Sequence, residues 1–375
     1  MEWAIKKLGD VCQVIAGQSP DGKFYNDNGN GLPFYQGKKE FGDKYIGEPK
    51  KWTSYTTKEA INGDILISVR APVGPINFAT QRICIGRGLA AIRPTEQLDR
   101  NFLFYGLLNM QKDISGNEGA VFASINKSQI ERIEFSFPPL SEQKRIVAIL
   151  DEAFAGIDAA IENTKRNLVN ARELFESYLN NVFIQKGEGW VEKKLSDICQ
   201  NLDSKRIPIT KSQRESGIIP YYGASGIVDY VAGYIFNESL LLVSEDGANL
   251  LARTYPIAFS ISGKTWVNNH AHVLRFDNLS SQKFVEFYLN SISLKPYVSG
   301  MAQPKLNQKS LNEIPIPYPD INMQAKIVED LERLSFETQL LKSTYQQKLE
   351  ALNELKQSIL QKAFNGELTR EEVAA

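Results

Sequence analysis

The side chains best suited to metal binding or covalent catalysis are few in this chain. His270 and His272 are its only histidines, and they alternate as they would along a strand. A metal site would need at least one more ligand, which the sequence does not nominate. We therefore favour an exposed His270 and a packed or edge His272. Cys12, Cys84 and Cys199 are odd in number and lack zinc-type spacing, which favours buried thiols.

Motifs of DNA-modifying and ATP-using enzymes are also absent from the sequence. It contains no Asn or Asp followed by Pro, Pro and an aromatic residue, no Gly-x-Gly turn leading into a helix pattern, and no Walker loop. Pro319 and Asp320, with Glu354 and Lys356, superficially resemble a nuclease carboxylate set. The last two fall deep in a predicted rod, where no strand can carry them to Asp320. Catalysis by this chain is therefore unsupported.

The composition is that of an ordinary globular protein. The 375 residues are 42% hydrophobic and 23% charged, and the formal net charge is −1. Neither a basic coat nor an acidic tail is available to attract a partner. The sequence has no run of 18 apolar residues, and its first residues form no apolar signal core. We expect a cytoplasmic protein that does not enter a membrane.

The chain contains an internal duplication. Seven residues recur within an eleven-residue window at a shift of 187 positions: Trp3, Lys6, Lys7, Leu8, Asp10, Cys12 and Gln13 become Trp190, Lys193, Lys194, Leu195, Asp197, Cys199 and Gln200. At a shift of 181, Gln143, Arg145, Ile146, Val147 and Leu150 match Gln324, Lys326, Ile327, Val328 and Leu331. The chain is therefore two copies of a globular part followed by a helical part. The predicted domains are 1–140, 141–189, 190–321 and 322–375.

The two globular parts are predicted to be mostly β. Their β-branched and aromatic runs are punctuated by Gly and Pro, and Ile61–Val69 and Ser239–Ser244 have the pattern of buried strands. Apolar residues spaced by three or four predict one helix in each part, at Arg100–Met110 and Gln282–Ile292.

Each helical part carries a heptad seam, and Ser141 and Asn322 are the predicted N-caps. The first seam is 147, 150, 154, 157, 161, 164, 168, 171, 175, 178 and 182. The second is Ile327, Leu331, Leu334, Thr338, Leu341, Tyr345, Leu349, Leu352, Leu355 and Ile359, with a stutter before Leu349.

A helix of this kind, with about 45 residues, is about 68 Å long, more than a small domain needs for its own core. We expect an α+β fold in which two mostly-β domains are joined by two long antiparallel helices. These helices would form an intramolecular coiled coil with a pseudo-twofold axis, so that the globular parts lie at opposite ends. A heptad alone does not choose its partner, so pairing with a second molecule remains the alternative.

These features resemble the specificity subunits of type I DNA restriction-modification systems, over essentially the whole chain. The paired openings and helix starts carry the resemblance, together with the closing run Leu355–Leu368. The runs Tyr221–Gly226 and Val243–Ala248 also resemble the second target-recognition domain of that family. The first globular part has Tyr35, Gln36 and Gly37, and Ser68, Val69 and Arg70, in similar places with different chemistry. The two domains are therefore expected to read different sequences.

The resemblance implies a non-catalytic subunit that reads a bipartite, asymmetric site in double-stranded DNA. One recognition domain would read each half-site, and the helices would set the spacer. The helix length itself predicts that the two domains are separated by about two turns of duplex DNA. Two methyltransferase subunits would bring S-adenosylmethionine, and restriction subunits would use ATP and Mg²⁺. The chain itself would bind no cofactor.

Base edges are read by Arg or Lys on guanine and by Asn or Gln on adenine. The globular parts have net charges of only +2 and +1, and each helical part has −2. Because phosphate contacts dominate affinity, we expect the chain alone to bind DNA weakly. The DNA-binding candidates lie in glycine-punctuated loops: Gln18, Ser19, Gln36, Lys38, Lys39, Arg70 and Arg87 in the first domain, and Tyr222, Ser225, Lys264, Asn268, Asn269, His270, Lys305 and Asn307 in the second.

Each nominated loop residue has a structural alternative. Any one of them can be a solvated side chain, and Asn268 and Asn269 also suit turns. For partner binding we nominate Gln143, Arg145, Gln324 and Lys326, with helix capping and contacts to their own domains as the alternative. The competing functional classes are a dimeric structural or signalling coiled-coil protein and a stand-alone nuclease or methyltransferase.

Overall fold

The structure is a computed structural model, and it describes residues 3–115, 124–300 and 303–369. The chain divides into two compact units. The first comprises Met1–Thr164 and Lys348–Ala375, and the second comprises Lys165–Gln347. Each unit therefore combines one globular part with sections of both long helices.

The first globular part is built from short strands and helices. Its strands are β1 (Ala4–Lys7), β2 (Cys12–Ala16), β3 (Tyr25–Asn26), β4 (Leu32–Tyr35), β5 (Trp52–Thr53), β6 (Glu59–Ala60), β7 (Ile65–Ser68), β8 (Ile76–Phe78), β9 (Ile83–Ile85), β10 (Leu89–Pro94) and β11 (Glu134–Phe137). Its helices are α1 (Leu8–Val11), α2 (Arg100–Asn109), α3 (Gln111–Ser115) and α4 (Lys127–Glu131), and the long helix α5 (Leu140–Gln185) follows. The sheet orders are β1-β11, β2-β10-β7-β8 and β3-β5-β4-β9-β6.

The second globular part repeats this plan. Its strands are β12 (Val191–Lys194), β13 (Gln200–Asn201), β14 (Ser216–Gly223), β15 (Gly226–Val231), β16 (Phe236–Asn237), β17 (Leu240–Ser244), β18 (Ala258–Ile261), β19 (Lys264–Val267), β20 (Ala271–Arg275) and β21 (Pro315–Tyr318). Its helices are α6 (Asn249–Ala252), α7 (Leu279–Ser291) and α8 (Gln308–Asn312), and the long helix α9 (Ile321–Phe364) follows.

The sheet topology confirms the duplication. The order β13-β20-β17-β18 repeats β2-β10-β7-β8, and β12-β21 repeats β1-β11. Each part also contains one parallel pair, β4 with β9 and β14 with β19. The predicted α+β class, with two mostly-β domains and two long helices, is confirmed.

The predicted central strands and helices are present with small shifts. All residues of β7 and β17 are buried, as their apolar runs predict. Helix α7 begins at Leu279, three residues before the predicted start, because the Asn278 side chain accepts a hydrogen bond from the Ser281 N–H at 2.7 Å.

Contacts within each unit show that α5 and α9 run antiparallel. In the first unit, Lys356 near the end of α9 binds Asp158 in the first half of α5, with Nζ and Oδ1 2.7 Å apart. In the second unit, Leu331 near the start of α9 belongs to the same core as Leu179 and Phe183 near the end of α5. The two helices thus contact each other within one chain.

The predicted seam and caps need correction. Leu341 and Leu355 are 41% and 47% exposed, and Leu179 is buried in α5 where Tyr178 was expected. Four-residue steps rotate the buried face, since 3.6 residues per turn do not match a strict heptad. Asp320 caps α9, because its Oδ1 accepts from the N–H groups of Asn322 and Met323. Asn322 and Ser141 therefore lie inside the first turns rather than at the caps.

Candidate nucleic-acid interface

In the first domain, the segments that follow β4, β7 and β9 meet through main-chain hydrogen bonds. The Gly86 N–H donates to the Tyr35 carbonyl at 2.8 Å, and the Gly88 N–H donates to the Gln36 carbonyl at 3.1 Å. The Val69 N–H donates to the Gly88 carbonyl at 3.0 Å. Residues from three strand ends are therefore fixed in one loop cluster.

This cluster brings the predicted residues of the first domain together. Ser19 Oγ accepts from the Arg87 N–H at 3.2 Å and donates to Gln36 Oε1 at 3.3 Å. The Gln18 N–H donates to the Ile85 carbonyl at 2.9 Å, directly before Gly86. The remaining members follow directly in the chain: Lys38 and Lys39 after Gly37, and Arg70 after Val69. We call these seven residues, Gln18, Ser19, Gln36, Lys38, Lys39, Arg70 and Arg87, the first loop cluster.

The cations of the first loop cluster are available to an anion. Arg70, Arg87, Lys38 and Lys39 are exposed, and across residues 3–115, 124–300 and 303–369 none of them forms an ion pair. Elsewhere in the same domain the pattern is different, since Arg93 binds the buried carboxylate of Asp64 at 2.7 Å. Exposed cations without carboxylate partners suit the phosphates and guanines of DNA.

Glycines allow the chain segments of this cluster to pack closely. A Cβ added to Gly17 would lie 2.2 Å from the Gly86 carbonyl oxygen, and one added to Gly88 would lie 2.4 Å from that of Gln36. Main-chain packing therefore explains these glycines. The sequence places Arg87 between two glycines, a spacing that would let the main chain approach a phosphate, but Gly88 is buried against its own chain.

The second domain has a similar set of main-chain hydrogen bonds between strand ends, and we call this set the main-chain frame of each domain. The Asn268 N–H donates to the Tyr222 carbonyl at 3.0 Å, and the Glu245 N–H donates to the His270 carbonyl at 2.9 Å. The Leu306 N–H donates to the Glu245 carbonyl at 2.8 Å. In the first domain the corresponding bond joins the Ile125 N–H to the Val69 carbonyl at 3.0 Å, so three main-chain bonds have counterparts in both domains. The fourth, from the Gly88 N–H to the Gln36 carbonyl, is replaced in the second domain by a bond from the His270 N–H to the Asn268 side chain.

The side chains on the second frame are different. His270 is about half exposed, and its Nδ1 lies 2.8 Å from Asp246 Oδ2. Asn268 is buried and accepts from the His270 N–H at 2.8 Å through Oδ1, so its role is structural. Asn269 and Ser225 are exposed, Tyr222 is half-buried, and Lys305 Nζ binds Glu245 Oε1 at 3.1 Å. We call Tyr222, Ser225, Asp246, Asn268, Asn269, His270 and Lys305 the second loop cluster.

A buried ionic network supports the second loop cluster. Arg206 Nη1 lies 2.6 Å from Glu245 Oε2 and donates to the Ala271 carbonyl at 2.8 Å. Burial raises the pKa of Glu245, but hydrogen bonds from Arg206 and Lys305 lower it by more, so it lies below the usual value. The network therefore fixes Glu245, whose main chain carries the frame.

The same network contains the best candidate for a metal site. Ligand atoms of Asp203, Glu245 and His272 lie within 4.8 Å of one another. Arg206 and Lys305 already neutralise this group, however, and two resident cations beside it oppose a metal ion. The thiol of Cys12 is equally unsuited to metal binding, because burial raises its pKa to about 12.

Two nominated residues of the second domain are not part of the second loop cluster: Lys264 lies apart from it, and Asn307 caps a helix. Lys264 begins β19, four residues before Asn268, so extended chain separates them by about 13 Å. Its Nζ lies 4.9 Å from the centre of the Tyr234 ring. Asn307 caps α8, because its Oδ1 accepts from the Ser310 N–H at 2.9 Å.

Two residues at the frames were missed in the sequence. Asp246 lies in the run Val243–Ala248, but a carboxylate is not among the Arg, Lys, Asn and Gln side chains that indicate base readers. The Lys58 carbonyl accepts from the Ile85 N–H at 2.9 Å, which places this exposed lysine beside the first loop cluster. No local pattern indicates Lys58, because only strand pairing brings it there.

The nominated partner-binding residues fall into two classes. Gln143 and Gln324 are buried, and each donates through Nε2 to the carbonyl of a proline just before its helix, Pro138 at 2.8 Å and Pro319 at 2.7 Å. This geometry fits the alternative, that they join helices to their own domains. Arg145 and Lys326 are exposed.

A sequence model described as the type I restriction modification DNA specificity domain matches residues 1–171 and 187–351. The chain belongs to this family. This membership confirms the resemblance and the prediction of a non-catalytic subunit, since the family is one of DNA specificity. Among the helices that the structure describes, none has the length and hydropathy needed to span a bilayer.

Relatives of the DNA specificity family match locally or over the whole length. The putative MjaX specificity subunit of Methanocaldococcus jannaschii is 42% identical over 45% of this chain. A putative specificity subunit of Haemophilus influenzae is 36% identical over 42% of the chain. These two matches span only 42% and 41% of those relatives' own lengths. The MjaIX specificity subunit of M. jannaschii is 23% identical, covering 99% of this chain and 95% of its own.

Solved structures share the fold of this family member. A chain of a type I restriction-modification system has a TM-score of 0.77 at 19% identity, covering 98% of both chains. The HsdS subunit of Thermoanaerobacter tengcongensis has a TM-score of 0.62 at 20% identity, covering 98% of this chain and 97% of its own. Both comparisons support the two-domain fold with long helices.

Proposed function

We propose that this chain reads a bipartite, asymmetric DNA target in a type I restriction-modification complex. Each globular domain reads one half-site through its loop cluster, and the long helices set the length of the unspecified spacer. The first domain uses Gln18, Gln36, Lys38, Lys39, Arg70 and Arg87, and the second uses Tyr222, Ser225, Asn269, His270 and Lys305.

One observation carries this proposal: two equivalent main-chain frames present different side chains. Arg87 directly follows Gly86, whose N–H donates to the Tyr35 carbonyl in β4. Asn269 directly follows Asn268, whose N–H donates to the Tyr222 carbonyl in β14. Arginine suits guanine, and asparagine suits adenine. Equal frames with unlike readers fit a protein that recognises two different half-sites.

The catalytic chemistry belongs to partner subunits in this proposal. Two methyltransferase subunits use S-adenosylmethionine to methylate adenines, and restriction subunits use ATP and Mg²⁺. The duplicated chain offers each methyltransferase an equivalent surface, with Arg145 and Lys326 as exposed candidates. Because the domains carry little net positive charge, the partners contribute much of the DNA affinity. Such a complex acts on cellular DNA, so we place it in the cytoplasm.

The test is to express the chain with its methyltransferase partner in cells without other adenine methylation and to map the methylated adenines. We expect one bipartite motif with unlike halves. Arg87→Ala is expected to relax or change bases in one half only. Arg132→Ala is the matched control, since Arg132 is exposed at the end of α4 and outside the cluster.

Two results would contradict the proposal. One is an absence of sequence-specific methylation when both subunits are expressed and associated. The other is an equal loss of both half-sites with Arg87→Ala, which would mean that the domains do not read independently.

A further inference from the structure

Arg70 and Asp246 occupy equivalent positions in the two domains. Each is the second residue after its central strand, and the residue before it, Val69 or Glu245, makes the matching pair of main-chain hydrogen bonds. Each also forms an isolated antiparallel bridge, Arg70 with Ser124 and Asp246 with Lys305. The same place in the frame therefore carries a cation in one domain and a carboxylate in the other.

The two side chains have opposite hydrogen-bonding character. Arginine only donates, whereas an ionised carboxylate only accepts. In the major groove guanine presents the acceptors O6 and N7, whereas cytosine presents the N4 amine as a donor. Arg70 thus matches guanine, and Asp246 matches cytosine.

The surroundings of Asp246 allow a carboxylate to approach DNA. Its side chain is about one-third exposed, and His270 Nδ1 lies 3.0 and 2.8 Å from its two oxygens. A carboxylate has about four lone-pair sites, so this one contact leaves acceptors free. Glu245 is already neutralised by Arg206 and Lys305, so Asp246 is the carboxylate left to face a ligand.

Resting on the proposed function, we infer that Arg70 and Asp246 are specificity-determining residues that read G·C pairs in opposite senses. Arg70 donates to guanine O6 and N7 in the first half-site. Asp246 accepts from the N4 amine of cytosine in the second half-site. His270 orients the Asp246 carboxylate, and Asn269 beside it is free to read the next base.

The experiment maps methylated adenines for Arg70→Gln and Asp246→Asn, each expressed with the methyltransferase partner. An amide reads adenine through N6 and N7, so each variant is expected to shift one G·C position toward A·T, in its own half-site only. The preference for G·C at that position should fall roughly 5- to 150-fold. Arg132→Gln and Asp277→Asn are matched controls, because both residues are exposed and lie outside the clusters.

Conservative variants separate recognition from folding. Arg70→Lys and Asp246→Glu keep the donor or acceptor character, so they are expected to keep the G·C preference while methylating more slowly. A wild-type motif with A·T at either sensitive position would overturn the inference. The inference would also be overturned if Arg70→Gln or Asp246→Asn folds and methylates more weakly but leaves the motif unchanged. That result is what a residue contacting only phosphate would give. Failure of the proposed function is distinguishable, since then the wild-type chain itself directs no bipartite motif.

Discussion

His272 Nδ1 lies 2.6 Å from Asp203 Oδ2 inside the second domain, where both side chains are almost inaccessible to solvent. The other ring nitrogen, Nε2, donates to the Leu306 carbonyl at 2.7 Å, because a carbonyl oxygen only accepts. Asp203 Oδ1 also accepts from the Val273 N–H at 2.9 Å. The pair therefore joins β20 and the turn after β13 to the loop that carries the frame.

Removing one member of this pair should destabilise the second domain. Asp203→Ala leaves a buried imidazole without its carboxylate, which costs about 3–5 kcal/mol. Hydrogen exchange read by mass spectrometry should show the loss in peptides of residues 190–300 and little change in 3–115. Asp277→Ala, an exposed carboxylate in the same domain, should stay within about 0.5 kcal/mol of wild type. If Asp203→Ala has the same hydrogen-exchange protection as the wild-type chain, the Asp203–His272 pair does not stabilise the domain.

The second domain should lose stability in acid. Burial raises the pKa of Asp203, but His272 and the Val273 N–H lower it by more, so the net pKa lies below 3.8. The unfolded state then binds more protons as the pH falls, and the stabilisation present at neutral pH is lost on acidification below about pH 4.5, where Glu245 also titrates. Urea midpoints at pH 6, 4.5 and 3.5 measure this. Asp203→Asn should flatten the dependence, and an unchanged slope would exclude this pair as its source.

Gly88→Ala should damage the first half-site. The new Cβ would lie 2.4 Å from the Gln36 carbonyl oxygen, so the main chain must move, at a cost of about 1–3 kcal/mol. Under the proposed function, methylation mapping should show relaxed specificity in the half-site assigned to the first domain. Gly37→Ala is the control in the same cluster, since its Cβ would have no neighbour within 4 Å. Normal specificity in Gly88→Ala would show that the frame tolerates displacement.

Gln143→Ala and Arg145→Ala should have different effects. Gln143 Oε1 accepts from the Asp99 N–H at 2.8 Å, and its Nε2 donates to two carbonyls, so Gln143→Ala leaves buried groups unpaired at about 1–3 kcal/mol. Among the described residues, Arg145 makes only a loose ion pair with Glu142 at 3.8 Å, so Arg145→Ala should leave the unfolding midpoint unchanged. If Arg145 contacts a methyltransferase, Arg145→Ala should reduce the recovery of that subunit in co-purification.

The duplication and the buried strands were predictable from the sequence, because identical residues at a constant shift and continuous apolar runs are local signals. The exact set of buried residues along α5 and α9 was not predictable from the sequence. Leu341 and Leu355 fit a strict heptad but are exposed, because the buried face rotates as four-residue steps accumulate. The cap of α9 was also misplaced, since both Asp320 and Asn322 are good N-caps and only the backbone decides between them.

The loop clusters were partly predictable. Hydrogen-bonding side chains in glycine-punctuated loops indicated all seven members of the first loop cluster, but nothing local separates Lys264 from them. Its position at the start of β19 depends on how strands pair across the sheet. Asn307, nominated for DNA, and Gln143, nominated for a partner, show the same difficulty. An amide that binds a ligand and one that bonds to its own main chain have the same sequence signature.

The hydrogen bonds that join the strand ends in each domain use main-chain atoms, which nearly every amino acid supplies in the same form. Exchanging the side chains at positions 70, 87, 246 or 269 leaves those bonds in place. The fold therefore depends on main-chain atoms, whereas the proposed DNA target depends on the side chains at these positions. If these residues read DNA as proposed, single codon changes can give a lineage a new DNA motif, one half-site at a time, while the fold persists.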